Sequence, residues 1–176
     1  MLQGIDYTPD EWATSTGHRP LALCTGEELL LLHRHWMWAN VQRLEFDKLL
    51  GTEELGEPGP MMMVSRSMAF MFVWYGLLWS TVESLLDRKI DIRGSFGADI
   101  AAMSEALRRC RNAVMHVPRK NALLDHRIET LVTVGDSPAT LRRIHGGIGR
   151  LFREEFQRQT AESQAAAALA PPPSQA

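Results

Sequence analysis

The stretch SMAFMFVWYGLLWSTV, Ser67–Val82, decides the fold. It carries no charge between Arg66 and Glu83. At 16 residues it falls short of the ~20 a membrane-spanning helix needs, so it reads as a helix buried in a protein core, with no membrane span. Val64, Met68, Met71, Tyr75, Leu78, Val82 and Leu85 follow a 4-3-4-3-4-3 spacing, which is one continuous apolar face of a helix from about Met61 to Asp87. A second row reads Phe72, Gly76, Trp79, Glu83, Leu86. A helix apolar on two sides is central to a core or to a dimer. Glu83 stands in that second row, where a carboxylate is costly unless something pairs with it.

Helices flank this one on both sides. Before it, TGEE places Thr25 as cap and Glu28 three residues on, a capping box. Leu29, Leu32, Trp36, Ala39, Phe46 and Leu50 then keep helical spacing, and GTEELGEPGP (51–60) is a loop by its glycines and prolines. After the loop RKIDIRGSFG, a third helix spans roughly Ala98 to His116 on the stripe Ile100, Met103, Leu107, Cys110, Val114, and Pro118 stops it. A short helix is expected at about Leu123–Val132. Ser137 as cap and Pro138 at the first helical position open the last one, which carries Leu141, Ile144, Ile148 and Phe152. Gly146, Gly147 and Gly149 in that helix predict close approach of another helix or of a ligand.

The expectation is an all-α, up-and-down bundle of about five helices. Residues 25–158 form the domain, 1–24 an N-terminal extension and 159–176 a disordered Ala/Pro-rich tail. At 176 residues, 45% apolar and 23% charged, the chain suits one globular domain. Two distant cysteines, Cys24 and Cys110, speak for a reducing compartment and against a disulfide scaffold. MLQGIDYTPDEW at the start has no basic or apolar region of a signal peptide, so a cytoplasmic location is expected.

The net charge of −2 conceals a division. Residues 1–107 hold 8 Lys and Arg against 15 Asp and Glu, whereas residues 108–158 hold 11 against 5. A basic C-terminal half suits a polyanion such as RNA. Mutual attraction of the two halves accounts for it equally well.

RNAVMHVP, Arg111–Pro118, concentrates the chemistry. An arginine offers a planar fork to a phosphate, and a histidine in a helix's last turn is a general acid/base near neutral pH. Asn112 lies one turn before His116 and can orient it. Glu83 can pair with and aim Arg111, while Arg108, Arg109, Arg119 and Lys120 supply a positive field. On a helical wheel Arg111 lies roughly 60° from the stripe centre and His116 about 140° further round. One straight helix cannot converge the two on a small site. A deformed helix end or a second copy across a twofold axis would complete it. The alternative is structural: Arg111 satisfies Glu83, and His116 merely caps the helix. His33 and His35 stand 200° apart on their helix, and His18, His126 and His145 have no acidic partner at ligand spacing, so no metal is expected.

RNAVMH resembles the R-N-x-x-x-H signature of HEPN domains, all-helical domains of prokaryotic toxins, defence proteins and RNA-processing enzymes. FVWYGLLWSTVESLL (72–86) resembles the preceding helix of that family, with Glu83 at its acidic position. LRRCRNAVMHVP, LLDHRIETL and RRIHGGIGRLFREEF extend the likeness to about residues 65–157, within a group of bacterial HEPN-like proteins. The resemblance implies metal-independent RNA cleavage without a cofactor, giving 2′,3′-cyclic phosphate and 5′-OH ends. In it Arg111 steadies the phosphorane, His116 assists attack by the ribose 2′-OH, and two copies share one cleft. It also implies a toxin or phage-defence role and a nucleotidyltransferase-type antitoxin partner. The rival expectations are a non-catalytic HEPN module that binds RNA, nucleotide or a partner protein, and a purely structural helical dimer.

Overall fold

A computed structural model of the chain describes residues 19–50, 65–92, 96–115 and 137–169. The helix expected at 123–132 and the loop 51–60 lie outside the described residues. Within them the protein is all-α: a single 3-10 turn (Leu21–Leu23) and four α-helices, α1 (Gly26–Leu50), α2 (Arg66–Asp87), α3 (Gly97–Met115) and α4 (Ser137–Leu169).

Each boundary has a local cause. At the head of α1 the Thr25 hydroxyl accepts from the Glu28 N–H at 3.2 Å, and the Glu28 carboxylate accepts from the Thr25 N–H at 3.0 Å, which is the reciprocal capping box. Ser65 caps α2 by accepting from the Met68 N–H at 3.3 Å. The C-terminus of α2 closes in a Schellman motif. Ile90 N–H reaches the Leu85 carbonyl and Lys89 N–H the Leu86 carbonyl, with Lys89 at φ 54°, where glycine is usual. Leu85 and Ile90 are both buried beneath it.

α2 is the hub. It packs against α1 and α3, while α4 closes the bundle between those two, leaving α1 and α3 at diagonal corners. Both expected rows of α2 are covered: Met71, Tyr75, Leu78, Val82 and Leu85 on one side, Phe72, Gly76, Trp79 and Leu86 on the other. By length and composition α2 could cross a membrane, and 56% of its most apolar window is buried in the bundle. Trp74, on neither row, is also fully buried. Burying each Leu or Ile of these stripes is worth roughly 1.5–3 kcal/mol.

The structure departs from expectation at both ends. Residues 19–24, read as extension, belong to the bundle. Leu21 and Cys24 enter the core, and Arg19 forms an isolated parallel bridge with Ile90. Arg19 also donates to Glu28 at 3.0 Å and to the Arg88 carbonyl at 3.2 Å, which ties this segment to the end of α2. At the other end α4 continues to Leu169 instead of giving way to a tail at 159. Alanine and glutamine favour helix there, and Arg158 spans to Glu162 one turn on. Residues 161–169 are nevertheless exposed.

Two of the three glycines of α4 make room for aromatic rings, one of them carried by α1. A Cβ on Gly147 would collide with the Phe96 ring, and one on Gly149 would come within 2.5 Å of the Trp36 ring. Around Gly146 nothing lies within 4 Å.

Candidate functional site

α2 and α3 run antiparallel through a short connection and approach closely at Gly76, where a Cβ would sit 3.6 Å from the Arg111 Cα. Side chains on a helix lean toward its N-terminus, so Arg111 reaches along α2 toward Glu83. Its Nη1 donates to Glu83 Oε2 at 2.7 Å. The two side chains are 29% and 31% exposed, so the pair is neither a solvated surface bridge nor a buried one. Burial pushes the Glu83 carboxyl above its usual pKa, and the Arg111 charge opposes that shift. The Trp79 indole N–H faces the same carboxylate but falls short of hydrogen-bond geometry, so it acts as a weak donor at most. The Arg111 Nε–H is buried and has no acceptor among the described residues. An unmatched buried donor costs about 1–3 kcal/mol, and it marks where an anion would be welcome.

The other expected site residues divide. Asn112 is half-buried next to Arg111 on α3. Arg108 and Arg109 both turn back onto Glu105, at 2.8 and 2.6 Å. His116, Arg119 and Lys120 lie outside the described residues. Thus Glu83 and Arg111 come together, and the convergence of Arg111 with His116 is not among the described geometry.

Much of the basic C-terminal half is paired with the acidic half. Arg111 meets Glu83, Arg142 meets Asp47 at 2.5 Å, and Arg143 meets Asp99 at 3.0 Å, beside the two Glu105 pairs. Internal attraction therefore accounts for a large part of the charge division.

A second polar assembly lies on the opposite side of α2. His145, 3% exposed, accepts at Nδ1 from the Trp74 indole N–H at 3.3 Å. An indole can only donate, so the imidazole proton sits on Nε2 and goes to Asn40 Oδ1 at 3.1 Å. Asn40 Oδ1 also accepts from Arg43, whose Nη1 donates to Asp47 at 2.6 Å, and Asp47 accepts from Arg142. Trp36 stacks on His145 at 5.1 Å and donates to its carbonyl at 3.0 Å. Burial, with the Arg43 charge adding to it, lowers the His145 pKa to about 4. This histidine stays neutral and cannot shuttle protons near pH 7.

Beyond Trp36 the ring column continues to His33, stacked at 5.6 Å. His33, Trp36 and Phe156 wall a cleft of about 500 Å³ between α1 and α4, with Arg153 and Gln157 at its rim. Neither the cleft nor the His145 assembly has a sequence signature, because their members lie far apart in the chain. Among the described residues no three His, Cys, Asp or Glu side chains cluster to hold a metal ion. Both cysteines are buried and neither is in a disulfide, the Cys110 thiol donating to the Phe72 carbonyl at 3.7 Å. Compared with protein-family models, curated proteins and solved structures, the chain matches none.

Proposed function

We propose that this chain is a metal-independent endoribonuclease of the HEPN type, working as a twofold dimer in the cytoplasm as a toxin or phage-defence effector. The observation that carries the reading is the state of Arg111: Glu83 holds one end of the guanidinium while its Nε–H has no acceptor among the described residues. An arginine held in this way is pre-oriented for a phosphate, and its charge persists through a phosphorane transition state. In the reaction, the ribose 2′ oxygen attacks the adjacent phosphorus while His116 takes the hydroxyl proton. The P–O5′ bond breaks, and His116 of the partner subunit protonates the leaving oxygen. The products are a 2′,3′-cyclic phosphate and a 5′-OH, with Asn112 placing the substrate and Arg119 and Lys120 holding flanking phosphates. The R-N-x-x-x-H resemblance supplies these roles, and a nucleotidyltransferase-type antitoxin would be the matching regulator.

The pairing of Arg108 and Arg109 with Glu105 favours a second reading, a HEPN-like module that binds or scaffolds without cleaving. Bulk tRNA incubated with purified protein in excess EDTA, wild type beside His116→Ala, separates the two. Cyclic-phosphate ends with wild type alone establish the enzyme. RNA retained without cleavage leaves the binding module, and neither leaves a structural helical dimer.

A further inference from the structure

α1 has a second apolar face that the bundle does not use. Leu29, Leu32, Ala39 and Phe46 point into the core. On the outer side Leu30, Met37, Val41 and Leu44 stand 61%, 40%, 50% and 51% exposed, flanked by Leu31 and by Trp38 at 49%. With the exposed charges Glu27, Arg34 and Lys48, the outer positions run 27, 30, 34, 37, 41, 44, 48, an unbroken 3-4 alternation. Sustained alternation at a mean of 3.5 residues is the pattern of a helix that pairs with another helix along its length. The six apolar side chains expose on the order of 600 Å², at the upper end for one patch on a monomer and near the ~800 Å² per partner of a standard interface.

The charges select the occupant and its direction. Two copies of α1 side by side in parallel would set Glu27 against Glu27, Arg34 against Arg34 and Lys48 against Lys48. Run antiparallel about an axis at residues 37 and 38, the same stripe brings Glu27 to the partner's Lys48 at each end. Met37 then meets the partner's Trp38, and Leu31 meets the partner's Leu44. The ends and centre of the stripe are thus self-complementary, as a twofold interface requires, while Arg34 falls beside the partner's Val41 and Leu30 beside the partner's Glu45.

We infer that α1 pairs antiparallel with α1 of a second copy of this chain through Leu30, Met37, Trp38, Val41 and Leu44. This interface stands at the corner of the bundle diagonal to α3. It is therefore separate from any twofold axis that joins two Arg111 sites, and it does not rest on the ribonuclease reading.

The test uses the full chain at micromolar concentration, with mass measured by sedimentation and proximity by a short bismaleimide. Cys24 and Cys110 are buried, so they contribute little background. Met37→Cys should cross-link into a covalent dimer. Val41→Glu with Leu44→Glu should halve the sedimenting mass while leaving helicity and melting temperature near wild type, since both positions are exposed. An assembled mass unchanged by the double substitution, with no Met37→Cys product, overturns the proposal; a dimer built on the Arg111 side would behave that way. A wild-type monomer overturns it too, and gives the face to a different protein or to a lipid surface.

Discussion

The two polar assemblies on either side of α2 differ in how far the central side chain of each is matched by its neighbours. Around His145 both ring nitrogens are matched, and Trp74, Asn40, Arg43, Asp47 and Arg142 hand hydrogen bonds along; the gap comes at the edge, at the buried Tyr75 hydroxyl beside Trp74, which has no partner among the described residues. Around Arg111 the chain stops short, with Glu83 on one side and, among the described residues, an unmatched Nε–H on the other. Matched buried hydrogen bonds rigidify a core, whereas an unmatched charged donor has hydrogen-bonding capacity left. The more eye-catching residue of the two, a deeply buried histidine, is thus the structural one.

The largest effect that would break this comparison lies at His145. Replacing it with leucine strands the Trp74 and Asn40 partners, and we expect a loss of about 3 kcal/mol in urea unfolding at pH 7. The pH dependence carries the same information. The folded pKa of about 4 lies below the ordinary value of 6.5, so the native state refuses a proton that the unfolded chain accepts. Stability from this group is complete above pH 6.5 and falls as pH drops toward 4, by roughly 3 kcal/mol in all. The wild-type curve should show that fall relative to His145→Leu. Parallel curves would mean that the imidazole is already solvated in the folded protein.

Arg111 should be less costly. Glu83 is partly exposed and can recruit water, so Arg111→Ala should cost about 1–2 kcal/mol, between the values for surface and buried pairs. Thermal unfolding measures it. A loss as large as that at His145 would recast Arg111 as a structural residue and weaken the case for chemistry there.

The glycines give effects no larger than that at Arg111, and of opposite signs. Gly149→Ala pushes into Trp36, which is held between His33 and His145, and should lose about 1–2 kcal/mol. Gly146→Ala meets nothing and should gain up to ~1 kcal/mol from helix propensity. Equal responses would show that Trp36 yields, and that the ring column over His145 is loose.

The sequence made some of this legible and hid the rest for identifiable reasons. Stripes such as Ile100, Met103, Leu107, Cys110 and the Thr25–Glu28 box depend on residues one or two turns apart, so local spacing reveals them. Glu83 was visible because it interrupts an apolar row, and Arg111 because it opens the RNAVMH stretch with an asparagine and a histidine on the turn that follows. His145 gave no sign: its partners Asn40 and Trp74 are 105 and 71 residues away, and on α4 alone it reads as an ordinary helical residue. The outer stripe of α1 was hidden by its neighbours, since a helix with apolar residues on both sides has no distinct polar face to orient it.

The length of those hydrogen bonds along the chain bears on how the protein is made. Trp36 reaches His145 across 109 residues, and Arg142 reaches Asp47 across 95. While α1 to α3 have emerged from the ribosome and α4 has not, both indole N–H groups face a half-built interior with no acceptor. Docking of α4 is thus the step that matches both donors, and because it joins residues 71 and 109 apart in the chain it carries the slow, long-range part of folding.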